Sequence, residues 1–216
     1  MGWFGPRLAA SGDVRERSYL LATKKPRPAG AMNDKRLVKA SKYLSRHLRH
    51  DPGRLGLTLE PGGWVRIEAL LRACRSQSFA LTIEDLRQVV ERNDKQRFSF
   101  DETGTRIRAN QGHSVEVDLE LEPAKPPAVL FHGTGLQHLD AIMRAGLRRA
   151  GRHHVHLSTD TATATRVGAR HGRPVVLEVA AARMREDGFA FYVSANGVWL
   201  TLAVPTAYLS LRSEAP

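Results

Sequence analysis

An α+β fold in two lobes follows from three observations. Apolar residues keep helical spacing from Asp34 to about Arg92, and a two-stranded alternation around Glu102-Thr103-Gly104 closes that stretch. A stiff run, Pro123-Ala124-Lys125-Pro126-Pro127, then interrupts the chain. Beyond it, short apolar strands alternate with helical stretches as far as Leu211. At 216 residues and 42% hydrophobic, the chain is long enough to bury one large core or two small ones.

Residues 1–31 show no sustained period and include Lys24-Lys25-Pro26-Arg27-Pro28-Ala29-Gly30, the composition of a flexible arm. Met32 follows at once, which places the start of the functional unit near it, and Asn33 or Asp34 offers a helix cap. Leu37, Val38, Ala40, Tyr43, Leu44 and Leu48 predict a helix to His50, which Asp51-Pro52-Gly53 stops. Pro61-Gly62-Gly63 turns into Trp64–Arg66, and Ile67–Cys74 resumes the helical pattern. Thr82 with Asp85 reads as a capping box opening a helix to Arg92. Arg97–Phe100 and Thr105–Arg108 form a hairpin. Helices followed by a small hairpin make residues 32–122 a winged-helix-like lobe. Val115, Val117, Leu119 and Leu121 alternate with acids and predict an edge strand.

The second lobe, residues 123–216, is expected to run strand Ala128–Phe131, helix Leu136–Ala145, strand Val155–Leu157 and helix Thr161–Arg170. Strands at Pro174–Val179, Phe191–Val193, Val198–Leu202 and near Tyr208–Leu211 complete it.

Charge is placed unevenly. Residues 1–31 carry six basic and two acidic side chains, residues 32–113 sixteen and ten, residues 114–216 eleven and ten. A polyanion, nucleic acid foremost, should meet the first half. One cysteine excludes an internal disulfide framework and fits a reducing cytosol. No apolar run nears the roughly 20 residues that span a bilayer, and Met1–Arg7 lacks a secretory signature. A soluble, cytoplasmic monomer that uses neither membrane nor metal is the expectation.

Three clusters carry the chemistry: Arg46-His47, Arg97, and Arg152-His153-His154-Val155-His156. Cations without carboxylate neighbours suit a phosphate, whose oxygens match guanidinium forks. Each has an ordinary reading as well, since Arg46-His47 ends a helix and Arg97 opens a strand on the surface. In a strand His154 and His156 share one face. Two such histidines suit zinc, but no third ligand stands at a recognisable spacing, which argues against a metal. His132-Gly133-Thr134 ends a strand where glycine lets a ligand near the backbone, or is simply a turn. Asn196-Gly197 marks a tight turn before Val198-Trp199-Leu200. Cys74, on an amphipathic helix, reads as a buried thiol. The common phosphate-loop, dinucleotide, metalloprotease and serine-hydrolase signatures are absent.

Taken in order, Leu44–His50, Gly63-Trp64-Val65, Asp94–Phe98, Ile107–Ser114, His132-Gly133-Thr134, Arg152–Ser158 and Gly197–Leu200 resemble the NAD-dependent RNA 2′-phosphotransferase family, typified by tRNA 2′-phosphotransferase, over about residues 34–211. The resemblance implies an ADP-ribosyltransferase-like NAD-binding lobe after the winged-helix-like RNA lobe. It places the family's essential Arg-His-Arg-Arg set on Arg46, His47, Arg97 and Arg152, and NAD on His132, Gly133, Thr134, His154, His156 and Ser158. Three strand positions that define subgroups of the wider fold fall on His132, His156 and Val198. Val198 cannot accept a proton, which argues against protein modification.

The chemistry so implied has two steps. An internal RNA 2′-phosphate attacks the nicotinamide ribose of NAD+, which is consumed, and nicotinamide leaves. The ribose 2″-hydroxyl then attacks phosphorus, giving 2′-hydroxyl RNA and ADP-ribose 1″,2″-cyclic phosphate. Arginines would orient the phosphate, and His47 would manage the proton. The RNA partner so implied bears a 2′-phosphate, whether tRNA-like or another RNA. Two other functions fit the sequence: an ADP-ribosyltransferase acting on nucleic-acid phosphate ends or protein, and a winged-helix nucleic-acid binder without activity.

Overall fold

The computed structural model describes Met1 and residues 31–212; the expected flexible arm otherwise lies outside the described residues. Asn33 caps α1 (Asp34–Arg49), its Oδ1 accepting from the Arg36 amide at 2.8 Å. Ala40, Leu44 and Leu48 repeat at four-residue spacing and are wholly buried. Two single 3₁₀ turns, Gly53–Leu55 and Pro61–Gly63, lead to β1 (Trp64–Arg66), and α2 (Ile67–Ser76) follows directly. Thr82 and Asp85 form the capping box that their spacing predicts, opening α3 (Ile83–Glu91).

The hairpin is β2 (Phe98–Phe100) and β3 (Arg106–Ala109), and β1 joins it to give an antiparallel sheet of order β1-β3-β2. Asp101 holds the turn: its carboxylate accepts from the Thr105 and Arg106 amides, each at 2.9 Å, and from Arg106 Nε at 3.1 Å. Those bonds, the Arg106 amide first, keep its pKa far below the usual carboxylate range. Leu44, Leu48, Leu70, Leu86, Val89, Phe98 and Ile107 close this half's core.

The expected edge strand over 115–121 is not formed. Its alternation does sort side chains, burying Leu119 and exposing Glu116, Asp118 and Glu120. Its backbone is taken elsewhere: Ser114 N reaches Arg49 O at 2.9 Å, and Asp118 O accepts from Gly62 N at 2.8 Å. Alternation specifies a face but supplies no ladder partner. The proline run is also tied down, with Ala124 N on Phe191 O at 2.7 Å.

Next come β4 (Leu130–Gly135), α4 (Leu139–Ala145), β5 (Leu147–Arg148), β6 (Val155–Leu157), α5 (Thr161–Gly168), β7 (Pro174–Val179) and α6 (Ala181–Glu186). The last elements are β8 (Tyr192–Val193), β9 (Trp199–Thr201), β10 (Ala203–Val204) and β11 (Leu209–Leu211). They pair as β11-β7-β4, β6-β9-β8 and β10-β5, all antiparallel. A bridge between Phe131 and Ser158 joins the first two sheets, each amide reaching the other's carbonyl at 2.8 Å. Leu130, Leu157, Leu177, Val179, Met184 and Phe191 form a second apolar cluster.

Most strand positions follow the expectation. His132-Gly133-Thr134, however, does not end a strand: it lies inside β4, with His132 opposite Leu177 of β7. Thr161–Arg170 divides into α5 and a 3₁₀ turn, Ala169–His171. The short α6, β5 and β10 have no periodic signal long enough to announce them. No described helix is long and apolar enough to cross a membrane.

Candidate active site

Helical phase on α1 decides which of its cations can meet an anion. His47 falls three residues after Leu44 and beside Leu48, on the buried stripe, and is 4% exposed. Its ring packs 4.5 Å from that of Tyr43, and its Nδ1 donates to the Asp51 carbonyl at 3.1 Å. The structure therefore turns His47 into the core, away from the contact role the sequence reading gave it. Arg46 lies on another face and lines a cavity of about 800 Å³ between α1 and α3, with Arg49, His50, Lys95 and Arg97.

Arg49 and His50, one turn further along, line the same cavity. Arg49 Nη2 approaches the Arg97 carbonyl at 3.4 Å, while its Nε is buried with no partner in the protein. Burial, then the charges of Arg97 and Arg152, push its pKa down to about 10. His50 Nδ1 hydrogen-bonds Ser114 Oγ at 2.9 Å. Burial lowers its pKa, followed by the charges of Arg49 and Arg152. Arg97 is steadied by Asn93, whose Oδ1 accepts from Nη1 at 3.0 Å. Burial and Arg170 lower its pKa, and Asp94 opposes them.

Arg152 is not among the residues lining the cavity, but its charge acts on both Arg49 and His50. Its Nη1 donates to His156 Nδ1 at 3.2 Å. Arginine has only donors, so His156 accepts there and carries its proton on Nε2. Burial first, then Arg152, hold the His156 pKa at about 3, so the ring is neutral at physiological pH. Arg49, His50, Arg97 and Arg152 thus form one positive locus, and no carboxylate is among the charges acting on Arg49 or His50. Like charges held together this way are strained until an anion joins them.

His132 and Ser158 stand beside His156, where β4 meets β6. His132 Nδ1 donates to the His156 carbonyl at 3.1 Å, leaving Nε2 as the second nitrogen. Burial lowers its pKa despite that bond. Thr134 is buried in the same strand. Gly133 is required by the packing of its own strand. A Cβ there would collide with the Ala164 carbonyl oxygen, so glycine is what lets α5 lie on β4. His154 precedes β6 and sets its ring edge-on to Tyr192 at 5.6 Å. Val198 sits in a turn held by Ser194, whose Oγ donates to the Val198 carbonyl at 3.1 Å.

Several site residues escaped the sequence reading. Arg49 and His50 form a second Arg-His pair three residues after the first, and the apolar phase of Ala40, Leu44 and Leu48 is the signal that separates the two. His113 is fully buried with no partner on either ring nitrogen. Burial, then Arg49, push its pKa down to about 3. In the sequence it lies within the Ile107–Ser114 segment, with no role assigned to it. Cys74 is fully buried, and burial raises its thiol to about 11, so it is no thiolate nucleophile. Among the described residues no group of three or more His, Cys, Asp or Glu is arranged to hold a metal ion.

The family model described as RNA 2′-phosphotransferase, Tpt1 / KptA family, matches residues 35–203. A protein of Nostoc punctiforme named "Probable RNA 2′-phosphotransferase" is 59% identical over 178 residues, 82% of this chain and 98% of its own length. Proteins with the same name in Streptomyces coelicolor (59% over 185 residues, 86% of this chain) and Trichormus variabilis (58% over 182, 84%) are matched over their entire lengths.

Proposed function

Because the chain belongs to the RNA 2′-phosphotransferase, Tpt1 / KptA family, we propose that it removes an internal 2′-phosphate from RNA by transferring it to the ADP-ribose part of NAD+. The observation that carries this reading is the placing of Arg49, His50 and Arg97 around one cavity, with Arg152 acting on Arg49 and His50 and Asp94 the carboxylate that acts on Arg97. In this reading residues 32–122 form the RNA lobe, winged-helix-like, and residues 123–216 the ADP-ribosyltransferase-like lobe.

Arg49, Arg97 and Arg152 hold the 2′-phosphate. Their guanidinium donors orient its oxygens and offset charge as phosphorus becomes five-coordinate. Arginine stays protonated throughout, even for Arg49 at about 10. His50 replaces His47 as the proton-handling group. Burial first, then its neighbours Arg49 and Arg152, lower its pKa, so the neutral ring is available to take a proton. Nδ1 is engaged by Ser114, which leaves Nε2 to carry the proton from the attacking hydroxyl to the departing 2′-oxygen of the RNA. Arg46, at the cavity rim, neutralises nearby backbone phosphate.

His132 and His156 suit NAD. Both rings are largely buried with depressed pKa values, and each has one nitrogen committed and one remaining. Neutral rings of this kind offer flat apolar surface and a single hydrogen bond to a ribose or carboxamide. When bound, NAD+ supplies an electrophilic ribose carbon, nicotinamide as leaving group, and a neighbouring hydroxyl. Thr134, His154 and Ser158 complete the surround, and Gly133 serves it by seating α5.

Incubation with NAD+ and an RNA bearing one internal 2′-phosphate tests the proposal. The expected products are 2′-hydroxyl RNA, nicotinamide and ADP-ribose 1″,2″-cyclic phosphate. A stable ADP-ribosylated RNA would instead make the protein a nucleic-acid ADP-ribosyltransferase, and unaltered NAD+ would make it a binder.

A further inference from the structure

We propose that Asn196 is a positioning residue for Arg97: through the Lys95 carbonyl, the second lobe sets the turn from which Arg97 reaches the 2′-phosphate. The inference rests on the reading above, which puts Arg97 on that phosphate, and adds to it a residue that touches neither substrate.

Arg97 stands at the end of a turn between α3 and β2 that needs outside help to keep its shape. Gln96 has a φ of 42°, in the left-handed region that disfavours any residue with a Cβ. Each of the carbonyls from Lys95 to Arg97 is gripped from beyond the turn. Lys95 O accepts from Asn196 Nδ2 at 2.9 Å, Gln96 O from Asn110 Nδ2 at 2.6 Å, and Arg97 O from the Asn110 amide at 2.9 Å. On the inner side, Asn93 O accepts from Gln96 N at 2.7 Å. Asn93 Oδ1 accepts from Lys95 N at 3.1 Å and from Arg97 Nη1 at 3.0 Å. That last bond ties the guanidinium to its own turn, so a shift of the turn is a shift of the fork.

Asn93 and Asn110 belong to the same lobe as Arg97. Asn196 does not: it lies 101 residues beyond Lys95, in the turn between β8 and β9. Ala195 of that turn lines a cavity of about 490 Å³ together with Asn93, Gln96 and Asn110, so the two turns face each other. The Asn196 amide is oriented from its own side, where Oδ1 accepts from Ser194 Oγ at 2.8 Å and Nδ2 is left to donate to Lys95. Ser194 is buried and closes the turn, its amide donating to Val198 O at 3.0 Å and its Oγ accepting from Val198 N at 3.2 Å. One residue on, β9 begins, and its Leu200 stands opposite His156 of β6. A single short piece of chain therefore carries both the partner strand of His156 and the hold on Lys95. Arg97 takes its place only where the lobes are joined at this bond.

Asn196→Ala, Asn196→Asp and Asn196→Gln in the full chain decide the matter. With NAD+ and the 2′-phosphorylated RNA, the Ala and Asp variants should lose about tenfold in kcat, with KM for NAD+ within about twofold of wild type. Their melting temperatures should match that of wild type. Aspartate keeps the shape but has no donor, whereas glutamine keeps the donor on a longer arm and should recover part of the loss. Combined with Arg97→Lys, the loss from Asn196→Ala should shrink, because the fork it positions is already gone. Wild-type kcat in the Ala and Asp variants, a Gln variant no better than Ala, or full additivity with Arg97→Lys overturns the inference. Should wild type show no phosphate removal at all, the proposed function fails and amide hydrogen exchange judges the role of Asn196. Residues 94–97 of Asn196→Ala should then exchange about tenfold faster than in wild type, with α3 and β3 unchanged. Equal rates overturn it.

Discussion

Arg152 Nη1 donates to His156 Nδ1 at 3.2 Å, so a cation and a neutral ring from one short segment are locked in a fixed relation. The bond spends one of the arginine's donors and leaves the others for an anion. It also fixes the tautomer of His156, because the accepting nitrogen cannot carry the proton.

Lysine at position 152 keeps the charge but not the fork. Arg152→Lys should lower kcat/KM by about 10²-fold, since one ammonium cannot both hold His156 and grip a phosphate. In a double-mutant cycle with His156→Ala, the two losses should fall short of adding. Simple additivity would mean that the two residues work apart.

Two adjacent Arg-His pairs make opposite predictions. His50→Ala should reduce turnover by at least about 10²-fold and leave the melting temperature near wild type. His47→Ala should instead cost about 1–3 kcal/mol of stability, through the lost Tyr43 contact and the unpaired Asp51 carbonyl, with turnover per folded molecule largely kept. Denaturant melts and steady-state rates separate the two, and the reverse pattern would return the proton-handling role to His47.

Gly133 should tolerate no side chain. Gly133→Ala forces a methyl into the Ala164 carbonyl, which must lift α5 from β4, and a loss of about 3 kcal/mol or more is expected. Urea denaturation measures it. A variant as stable as wild type would show that α5 is free to shift.

Stability should fall on the acid side. Burial holds His113 and His156 at about 3, well below the ordinary 6.5, so the folded protein keeps both rings neutral while the unfolded chain takes up protons. Above about 6.5 neither state is charged, and stability is fully present. As pH drops from 6.5 toward 3 the unfolded state gains protons first and stability is lost. His113→Leu should make that decline shallower in melting curves from pH 7 to pH 4. Parallel profiles would remove His113 from the account.

Local chemistry made much of this molecule legible. Asn33 and the Thr82–Asp85 pair announce helix starts because capping needs only neighbours in sequence. The hairpin around Gly104 is equally self-contained. What stayed hidden depends on partners far away in the chain. Trp64–Arg66 becomes a sheet strand only because β3 lies beside it, and Val115–Leu121 fails to become one for want of a neighbour. The site shows the same divide. Arg97 and Arg152 stand out in the sequence as isolated cations, whereas the burial of His47 required the phase of the apolar stripe. Asn196 reaches the Lys95 carbonyl only after both halves have folded.

The two apolar clusters have a consequence for how the molecule holds together. Leu44 and its neighbours form one, Leu130 and its neighbours the other, and polar links span the gap between them: His153 N to His113 O at 3.2 Å, and Asn196 to Lys95. Such a seam is weak in oil and rich in unspent positive charge. A polyanion laid across it is therefore a keystone as much as a substrate, stiffening the arch at the moment that chemistry begins. A 2′-phosphorylated RNA should therefore raise the melting temperature more than its dephosphorylated counterpart does.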